Sequence, residues 1–112
     1  MSTPSLNLTA YNAIDIYFNA EASPDDFQSA FDVNAVVVDE MQQYVGIKSI
    51  LEWRDASRQK YQYTSRPIEI TQVANKTIVK SIVEGNFPGS PVSLSYEFYI
   101  ANDKIEKLEI LG

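Results

Sequence analysis

Asp39 has the clearest capacity for proton transfer in this sequence. It ends the run 35–39, in which three consecutive valines predict a buried strand because β-branched side chains suit a pleated, packed surface. Burying a lone carboxylate costs free energy, so an acid at the end of an apolar strand usually lies at a rim or in a pocket. Asp39 is therefore either an acid or base in a pocket or the exposed end of a strand. We interpret the next residue, Glu40, as a solvated neighbour.

Aromatic side chains form the second group with possible function. The chain has seven Tyr, five Phe and one Trp, enough to line a pocket for a flat, mainly apolar molecule. The alternative is ordinary core packing. The hydroxyls of Tyr63 and Tyr96 are the most informative, because a buried tyrosine hydroxyl needs a hydrogen-bond partner. The candidate substrate-binding residues are Tyr17, Trp53, Tyr63, Phe87 and Tyr96.

The composition narrows the chemistry further. The sequence has no Cys and no His, which removes thiol nucleophiles, Cys/His zinc sites and the commonest general base. Proton transfer would have to use Asp, Glu, Tyr or Lys. A metal site would need oxygen ligands alone, and no Asp-rich loop has the spacing of a calcium site. We therefore expect neither a metal nor a cofactor.

The charge balance bears on partners and location. The sequence has nine basic and fifteen acidic residues, which gives a net charge of -6. This balance argues against a nucleic-acid partner, because such a partner needs a basic stripe on the protein surface. No apolar run approaches the roughly 20 residues of a membrane span, and residues 1–8 show no signal-peptide pattern. We predict a cytoplasmic protein that does not bind membranes. Arg54, Arg58 and Lys60 form a small basic cluster, which we expect at the surface, with anion binding as the alternative.

The first half of the chain predicts two helices, then a pair of strands, then a third helix. Residues 1–8 are polar and predict a loose N-terminal arm. Thr9 can cap a first helix that extends to about Ala20. Ser23 can cap a second helix, since Pro24 suits the first helical position and two Asp residues follow. The valine strand and a return strand over 41–45 come next. Gly46 then precedes a third helix over about 47–60.

The second half predicts four strands joined by tight turns. The first begins near residue 61, and its alternation changes parity at Pro67, which predicts a bulge or bend there. Turns near residues 74 and 103 separate the later strands, and the alternation over 92–100 is the strongest strand pattern in the chain. The loop 85–91 is dense in Gly and Pro, which predicts a fixed rim of the pocket or a dimer contact. The order α-α-β-β-α-β-β-β-β predicts an α+β domain over 1–112 with three helices on a mostly antiparallel sheet.

This order resembles the nuclear transport factor 2-like (NTF2-like) superfamily, and within it the SnoaL-like and ketosteroid isomerase-like proteins. Local motifs are similar over nearly the whole chain. They are the Phe31-to-Glu40 segment with its strand ending in an acid, Tyr44-Val45-Gly46-Ile47-Lys48-Ser49-Ile50 with Trp53 one turn further, and the hairpin of Tyr96-Glu97-Phe98 and Lys104-Ile105. The resemblance implies a strongly curved, cone-shaped sheet whose open end is a pocket. It also implies a homodimer through the outer sheet face, with which the apolar character of both faces of the strand 77–84 agrees.

The resemblance also bears on the chemistry. Asp39 falls where ketosteroid isomerases carry the aspartate that shuttles a proton. Those enzymes add an oxyanion hole made of a first-helix Tyr and a protonated acid on a late strand. Here the matching positions hold Ile14 or Asp15 and Tyr96, so that pair is not reproduced, although a Tyr hydroxyl can donate to an oxyanion. The resemblance is specific for fold and not for activity.

Two hypotheses follow for function. In the first, a SnoaL-like protein binds a small, largely apolar molecule in the cone pocket. It is then a cofactor-free isomerase, cyclase or hydratase with Asp39 as acid or base. In the second, the chain is a non-catalytic ligand-binding or dimerisation module. A polar group opposite Asp39, such as Tyr17, Tyr63 or Tyr96, discriminates between them.

Overall fold

The computed structural model describes residues 11–19 and 21–112. Within these ranges the order of elements is the predicted one. The elements are α1 (Asn12–Phe18), α2 (Pro24–Ser29), β1 (Phe31–Asp39), β2 (Gln42–Val45), α3 (Ile47–Lys60), β3 (Tyr63–Val73), β4 (Lys76–Gly85), β5 (Val92–Ala101) and β6 (Lys104–Leu111). The predicted arm 1–8, the Thr9 cap and Ala20 lie outside the described residues.

The strands form one curved, open sheet in the order β2-β1-β6-β5-β4-β3. β1 runs parallel to β6 and the other neighbours are antiparallel, so the predicted α+β architecture with a mostly antiparallel sheet is confirmed. A bulge adds a residue to one strand of a pair and bends it, which helps a sheet to curve. The pairing register shifts at three places, between Phe31 and Val36, between Pro67 and Glu69, and between Tyr99 and Ile100. The predicted bend at Pro67 is therefore confirmed.

Local sequence signals explain where the helices begin. The Oγ of Ser23 accepts a hydrogen bond from the backbone N–H of Asp26 at 3.1 Å, and Pro24 occupies the first turn of α2. Gly46, which precedes α3, has a φ of 87°, a conformation that glycine adopts without steric cost. Its N–H donates to the carbonyl oxygen of Ala35 at 2.8 Å, so the start of α3 is tied to β1.

The core lies between the concave face of the sheet and the helices. Val37, Phe98 and Leu108 are each 0% exposed on the sheet, and Ile14 and Phe27 cover them from α1 and α2. Residues paired directly across antiparallel strands share a face. The pairs place Ile78, Ile82 and Tyr99 on the opposite, convex face. No helix among the described residues is long and apolar enough to cross a membrane.

Candidate functional site

A cavity of about 410 Å³ opens between the three helices and the concave face of the sheet. Its lining comes from every helix, from the residues that follow α3, and from β3 and β5. The lining residues are Tyr17, Phe18, Phe27, Trp53, Arg54, Ser57, Arg58, Tyr61, Gln62, Tyr63, Thr64, Ser65 and Tyr96. The fold therefore brings together aromatic rings, hydroxyl groups and two arginines at one end of the core.

Four of the five predicted substrate-binding residues line this cavity, namely Tyr17, Trp53, Tyr63 and Tyr96. Phe87 does not. Its ring packs edge-on against the ring of Tyr61, with the centroids 5.9 Å apart, and it contributes to the edge of the core. Because Tyr61 itself lines the cavity, Phe87 supports a wall residue instead of forming the wall.

Asp39 lies beside the cavity at the end of β1. It points to the same side of the strand as Val37, which is completely buried, because alternate residues of a strand share a face. The indole Nε1–H of Trp53 donates to its Oδ2 at 3.1 Å. Asp39 is not itself a lining residue, so its link to the cavity runs through Trp53.

The electrostatic environment of Asp39 suits a proton acceptor. Burial raises the pKa of its carboxyl above the ordinary value, and the negative charge of Glu40 adds to that rise. The hydrogen bond from Trp53 and a backbone hydrogen bond from Glu40 act in the opposite direction because they favour the charged form. The net result is a raised pKa on a partly buried carboxyl group.

Three tyrosine hydroxyls of the cavity have a raised pKa and stay protonated at neutral pH. Burial raises the pKa of Tyr17 well above its ordinary value, raises that of Tyr63, and raises that of Tyr96 to about 12. The charge of Asp39 contributes to all three rises. Hydrogen bonding by Ser65 opposes the rise at Tyr96, and the Ser65 Oγ lies 2.7 Å from the Oγ of Ser81. The cavity thus offers several hydroxyl donors within the electrostatic reach of one carboxylate.

Arg54 is a site residue that the sequence interpretation missed. We expected it at the surface, yet it is only 7% exposed. Its Nη2 donates to the carbonyl oxygen of Ala22 at 3.1 Å, and its Cζ lies 4.3 Å from the centroid of the Phe27 ring. Ile47, Ile50 and Arg54 follow helical spacing and therefore lie on one face of α3. This periodicity in the sequence could have predicted that Arg54 is buried. Arg58, one turn later, lines the cavity from an exposed position, as predicted for the surface.

The described residues hold no group of three or more acidic side chains that could bind a metal ion. The cavity lining itself offers arginines, hydroxyl groups, the Gln62 amide and aromatic rings for binding a ligand. Such a set suits an organic molecule with oxygen functions and an apolar body.

A search of the solved structures finds a protein from Sinorhizobium meliloti whose suggested activity is that of a polyketide cyclase. It is 37% identical to this chain, the match covers 88% of this chain and 93% of that one, and the TM-score is 0.84. The chain belongs to the NTF2-like superfamily. No family model matches the sequence, and the curated proteins contain no match.

More distant structures share the NTF2-like fold. A SnoaL-like protein from a Jannaschia species, also with a suggested polyketide cyclase activity, is 12% identical, with a TM-score of 0.77 over 98% of this chain and 90% of that one. A protein from Catenulispora acidiphila with a ketosteroid isomerase-like fold, in complex with trimethylamine, is 11% identical. Its TM-score is 0.75 over 89% of this chain and 84% of that one. At these identities the similarity concerns the fold alone.

Tyr96 gives this NTF2-like protein an alkaline instability that can be measured. The unfolded chain loses the Tyr96 proton near pH 10, whereas the folded chain keeps it to about 12. The folded state therefore binds more protons between these values, and stability falls as pH rises through this window, by up to about 2.7 kcal/mol. We expect urea unfolding at stepped pH values to show this fall, and Tyr96→Phe to reduce it. Equal pH slopes for the two proteins would contradict the assignment.

Gly85 fixes the loop 85–91 against a cavity wall. The N–H of Gln62 donates to the Oδ1 of Asn86 at 2.9 Å, and the N–H of Gly85 donates to the Oγ of Ser90 at 2.8 Å. A Cβ at Gly85 would overlap the carbonyl oxygen of Gln62 and lie 2.7 Å from the Cβ of Tyr63. A methyl group therefore cannot be added there without moving residues that line the cavity.

We expect Gly85→Ala to cost about 1–3 kcal/mol of unfolding free energy, because overpacking forces the backbone to shift. The matched control is Gly89→Ala in the same loop, where an added Cβ meets no atom but φ is +85°. That change should cost about 1 kcal/mol through backbone strain alone. NMR should show shifted amide signals of Gln62 and Tyr63 in Gly85→Ala only. Unshifted signals there would rule out the close contact.

Proposed function

We propose that this NTF2-like protein is a cofactor-free enzyme that moves a proton on a small, largely apolar carbonyl compound in the cavity. Asp39 is the acid or base in this proposal. The observation that carries it is the arrangement of the groups: the partly buried carboxyl of Asp39 accepts a hydrogen bond of 3.1 Å from Trp53, a lining residue of the cavity, and Tyr17, Tyr63 and Tyr96 line the same cavity. A carboxylate and hydroxyl donors around one cavity are the parts that proton transfer beside a carbonyl requires.

The proposed step divides the work between two kinds of group. Asp39 does not line the cavity, so it acts through one bridging water. It takes a proton from the carbon next to the carbonyl by way of this water, and the electron pair of that C–H bond forms the enolate. The hydroxyls of Tyr17 or Tyr96 donate hydrogen bonds to the enolate oxygen, in place of the isomerase pair that this chain lacks. The Asp39 carboxyl then gives its proton to another carbon, which gives isomerisation, or the enolate carbon attacks a second carbonyl carbon within the molecule and the carboxyl protonates the resulting alkoxide, which gives cyclisation. The suggested activity of the Sinorhizobium meliloti protein supports a carbonyl-rich substrate.

Hydrogen–deuterium exchange tests this function without knowledge of the natural substrate. Aromatic ketones and 1,3-diketones are incubated with the protein in D₂O. Proton NMR follows the loss of the signal from the hydrogens on the carbon next to the carbonyl. We expect exchange faster than in buffer for the wild type, and exchange at the buffer rate for Asp39→Asn. Equal exchange for the two proteins would remove Asp39 from the mechanism.

A non-catalytic binding module is the second candidate. Two observations favour it: Asp39 does not line the cavity, and its Oδ2 already accepts a hydrogen bond from Trp53. In this case the same ketones bind, and the signal of the Trp53 indole N–H moves, but exchange stays at the buffer rate. The exchange experiment therefore separates the two candidates directly.

We further propose that the protein is a homodimer through the convex face of the sheet. Ile78, Ile82 and Tyr99 lie half-exposed on that face, and none of the described helices covers it. We expect Ile82→Lys to shift the sedimentation of the protein from dimer to monomer, because it places a charge within an apolar contact. Gln28→Lys, at an exposed position of α2 away from the convex face, serves as the control. A monomeric wild type would end this proposal. The cytoplasmic location and the single domain over 1–112 stay predictions.

A further inference from the structure

The cavity has the opposite charge character from the chain as a whole. The sequence has fifteen acidic and nine basic residues. Among the described residues that line the cavity, Arg54 and Arg58 carry charge and none is acidic. A concave site with charge of one sign and apolar walls focuses its field on a ligand of the opposite sign. Two guanidinium groups line the cavity, whereas the carboxylate beside it, Asp39, does not, so the potential in the cavity favours an anionic group over a neutral one.

Arg54 is held in a fixed position at the cavity wall. Its guanidinium is bonded to the carbonyl oxygen of Ala22 at 3.1 Å and stacks on the ring of Phe27, with the Cζ 4.3 Å from the centroid. Two contacts on one planar group leave it little rotational freedom, so a ligand would lose little entropy in ordering it. The group presents a planar array of donors, which matches the two oxygens of a carboxylate.

Arg58 extends the positive charge from the cavity wall to its mouth. It lies four residues after Arg54 on α3, and residues at this spacing lie on the same helix face. Arg54 is buried whereas Arg58 is exposed, so the pair forms a path of positive charge from solvent inward. Burial lowers the pKa of Arg54, and the charge of Arg58 lowers it further. An anion between the two guanidinium groups would offset both the cost of burying the charge of Arg54 and its repulsion from the charge of Arg58.

We propose that the ligand of this cavity is a small, flat molecule that carries a carboxylate, bound by Arg54 and Arg58. The apolar body then packs against the rings of Tyr17, Phe18 and Phe27, which line the same space. This inference names the ligand class for the proposed function and rests on that function only for its choice of cavity. The competing explanation is that Arg54 only joins α3 to the segment between α1 and α2 through Ala22. If Arg54 has only that structural role, its replacement should lower the stability of the protein, and the cavity should show no preference between charged and neutral ligands.

Matched pairs of probes separate the two explanations. The probes are benzoate with benzamide and 2-naphthoate with 2-naphthamide, which differ in charge and hardly in shape. Isothermal titration calorimetry gives the affinities at low and high salt. The indole N–H signal of Trp53, the one Trp of the sequence, reports binding at this cavity. We expect each carboxylate to bind about tenfold more tightly than its amide at low salt, and the preference to shrink with added salt.

Three variants locate the charge that is responsible. Arg58→Gln should reduce the affinity for 2-naphthoate about threefold and leave that for 2-naphthamide unchanged. Arg54→Lys keeps the charge and loses the planar donor array, so it should also reduce the carboxylate preference. Lys48→Gln removes an equal charge from an exposed position of α3 outside the cavity and should change neither affinity.

The carboxylate preference should also survive in Asp39→Asn, which removes the proposed base and leaves both arginines in place. A preference in that variant supports the inference even if no exchange activity exists. Conversely, exchange activity without a carboxylate preference would overturn this inference and leave the proposed function intact. Equal affinity within each pair, or no binding of any probe at millimolar concentration, overturns it as well.

Discussion

Replacing Asp39 with Asn is expected to slow substrate proton exchange by about 10²–10⁴-fold, the usual contribution of a positioned general base. Asn has nearly the same shape, and its side-chain oxygen can still accept the hydrogen bond from Trp53. The change therefore removes the proton acceptor and retains the local structure. NMR measures the exchange rate, and unfolding experiments measure the stability in parallel.

The direction in which Asp39→Asn changes the stability of the protein can also be predicted. Burial raises the pKa of Asp39 in the folded protein, so the folded state holds the proton more tightly than the unfolded state. The stabilising effect of the protonated form is complete below about pH 3.9 and is lost as pH rises through the folded-state pKa. At neutral pH the Asn variant should therefore be at least as stable as the wild type. Lost activity in a variant that unfolds more easily would not support the assignment.

The pH dependence of the wild type provides a second measurement. A base must lose its proton to act, so the exchange rate should rise with pH through a midpoint above about 3.9. Glu40 raises the pKa of Asp39 through its charge, so Glu40→Gln should move this midpoint to lower pH without changing the plateau. Asp25→Asn, at an exposed position of α2, should leave the midpoint in place. Equal midpoints in all three proteins would exclude Asp39 as the titrating group.

Replacing Phe98 with Ala is expected to cost about 3–5 kcal/mol of unfolding free energy, the range for truncating a buried Phe. Phe98 is 0% exposed, and its ring centroid lies 5.4 Å from that of Tyr17 and 6.0 Å from that of Phe18. Truncation removes the support under two rings that line the cavity. The experiment is urea unfolding of the wild type and the variant.

Two further variants calibrate this cost. Phe98→Leu keeps most of the volume and should cost less than about 1.5 kcal/mol, so it remains measurable if the Ala variant fails to fold. Ser93→Ala, at an exposed position of the same strand, should change stability by less than about 0.5 kcal/mol. If Phe98→Ala costs no more than Ser93→Ala, the ring is not a core residue in solution.

The fold was largely predictable because its signals are local. The alternation over 92–100 predicts β5, Gly46 marks the start of α3, and Ser23 with Pro24 marks the start of α2. The change of parity at Pro67 predicts a bulge that the strand pairing confirms. Among the described residues, the first helix is shorter than predicted, because Asn19 adopts extended dihedral angles and α1 ends at Phe18.

The cavity was less predictable because packing between distant segments decides it. Nothing local to Phe87 indicates that Tyr61 lies between it and the cavity. An arginine is usually assigned to the surface, and Arg54 is buried because Ala22 and Phe27, more than 25 residues earlier, supply its partners. The raised pKa of Tyr96 likewise depends on burial that strand alternation alone does not measure.

The position of β6 has a consequence for synthesis on the ribosome. β1, which carries Asp39, is made before its parallel neighbour β6, which follows the other five strands of this sheet. The N–H of Ile105 in β6 donates to the carbonyl oxygen of Ala30 at 2.8 Å. Until then β1 and β5 each keep an unpaired edge, and such edges invite pairing with other chains. Completion of the sheet must wait for β6, so these two edges are where the nascent chain can pair with another chain during that interval.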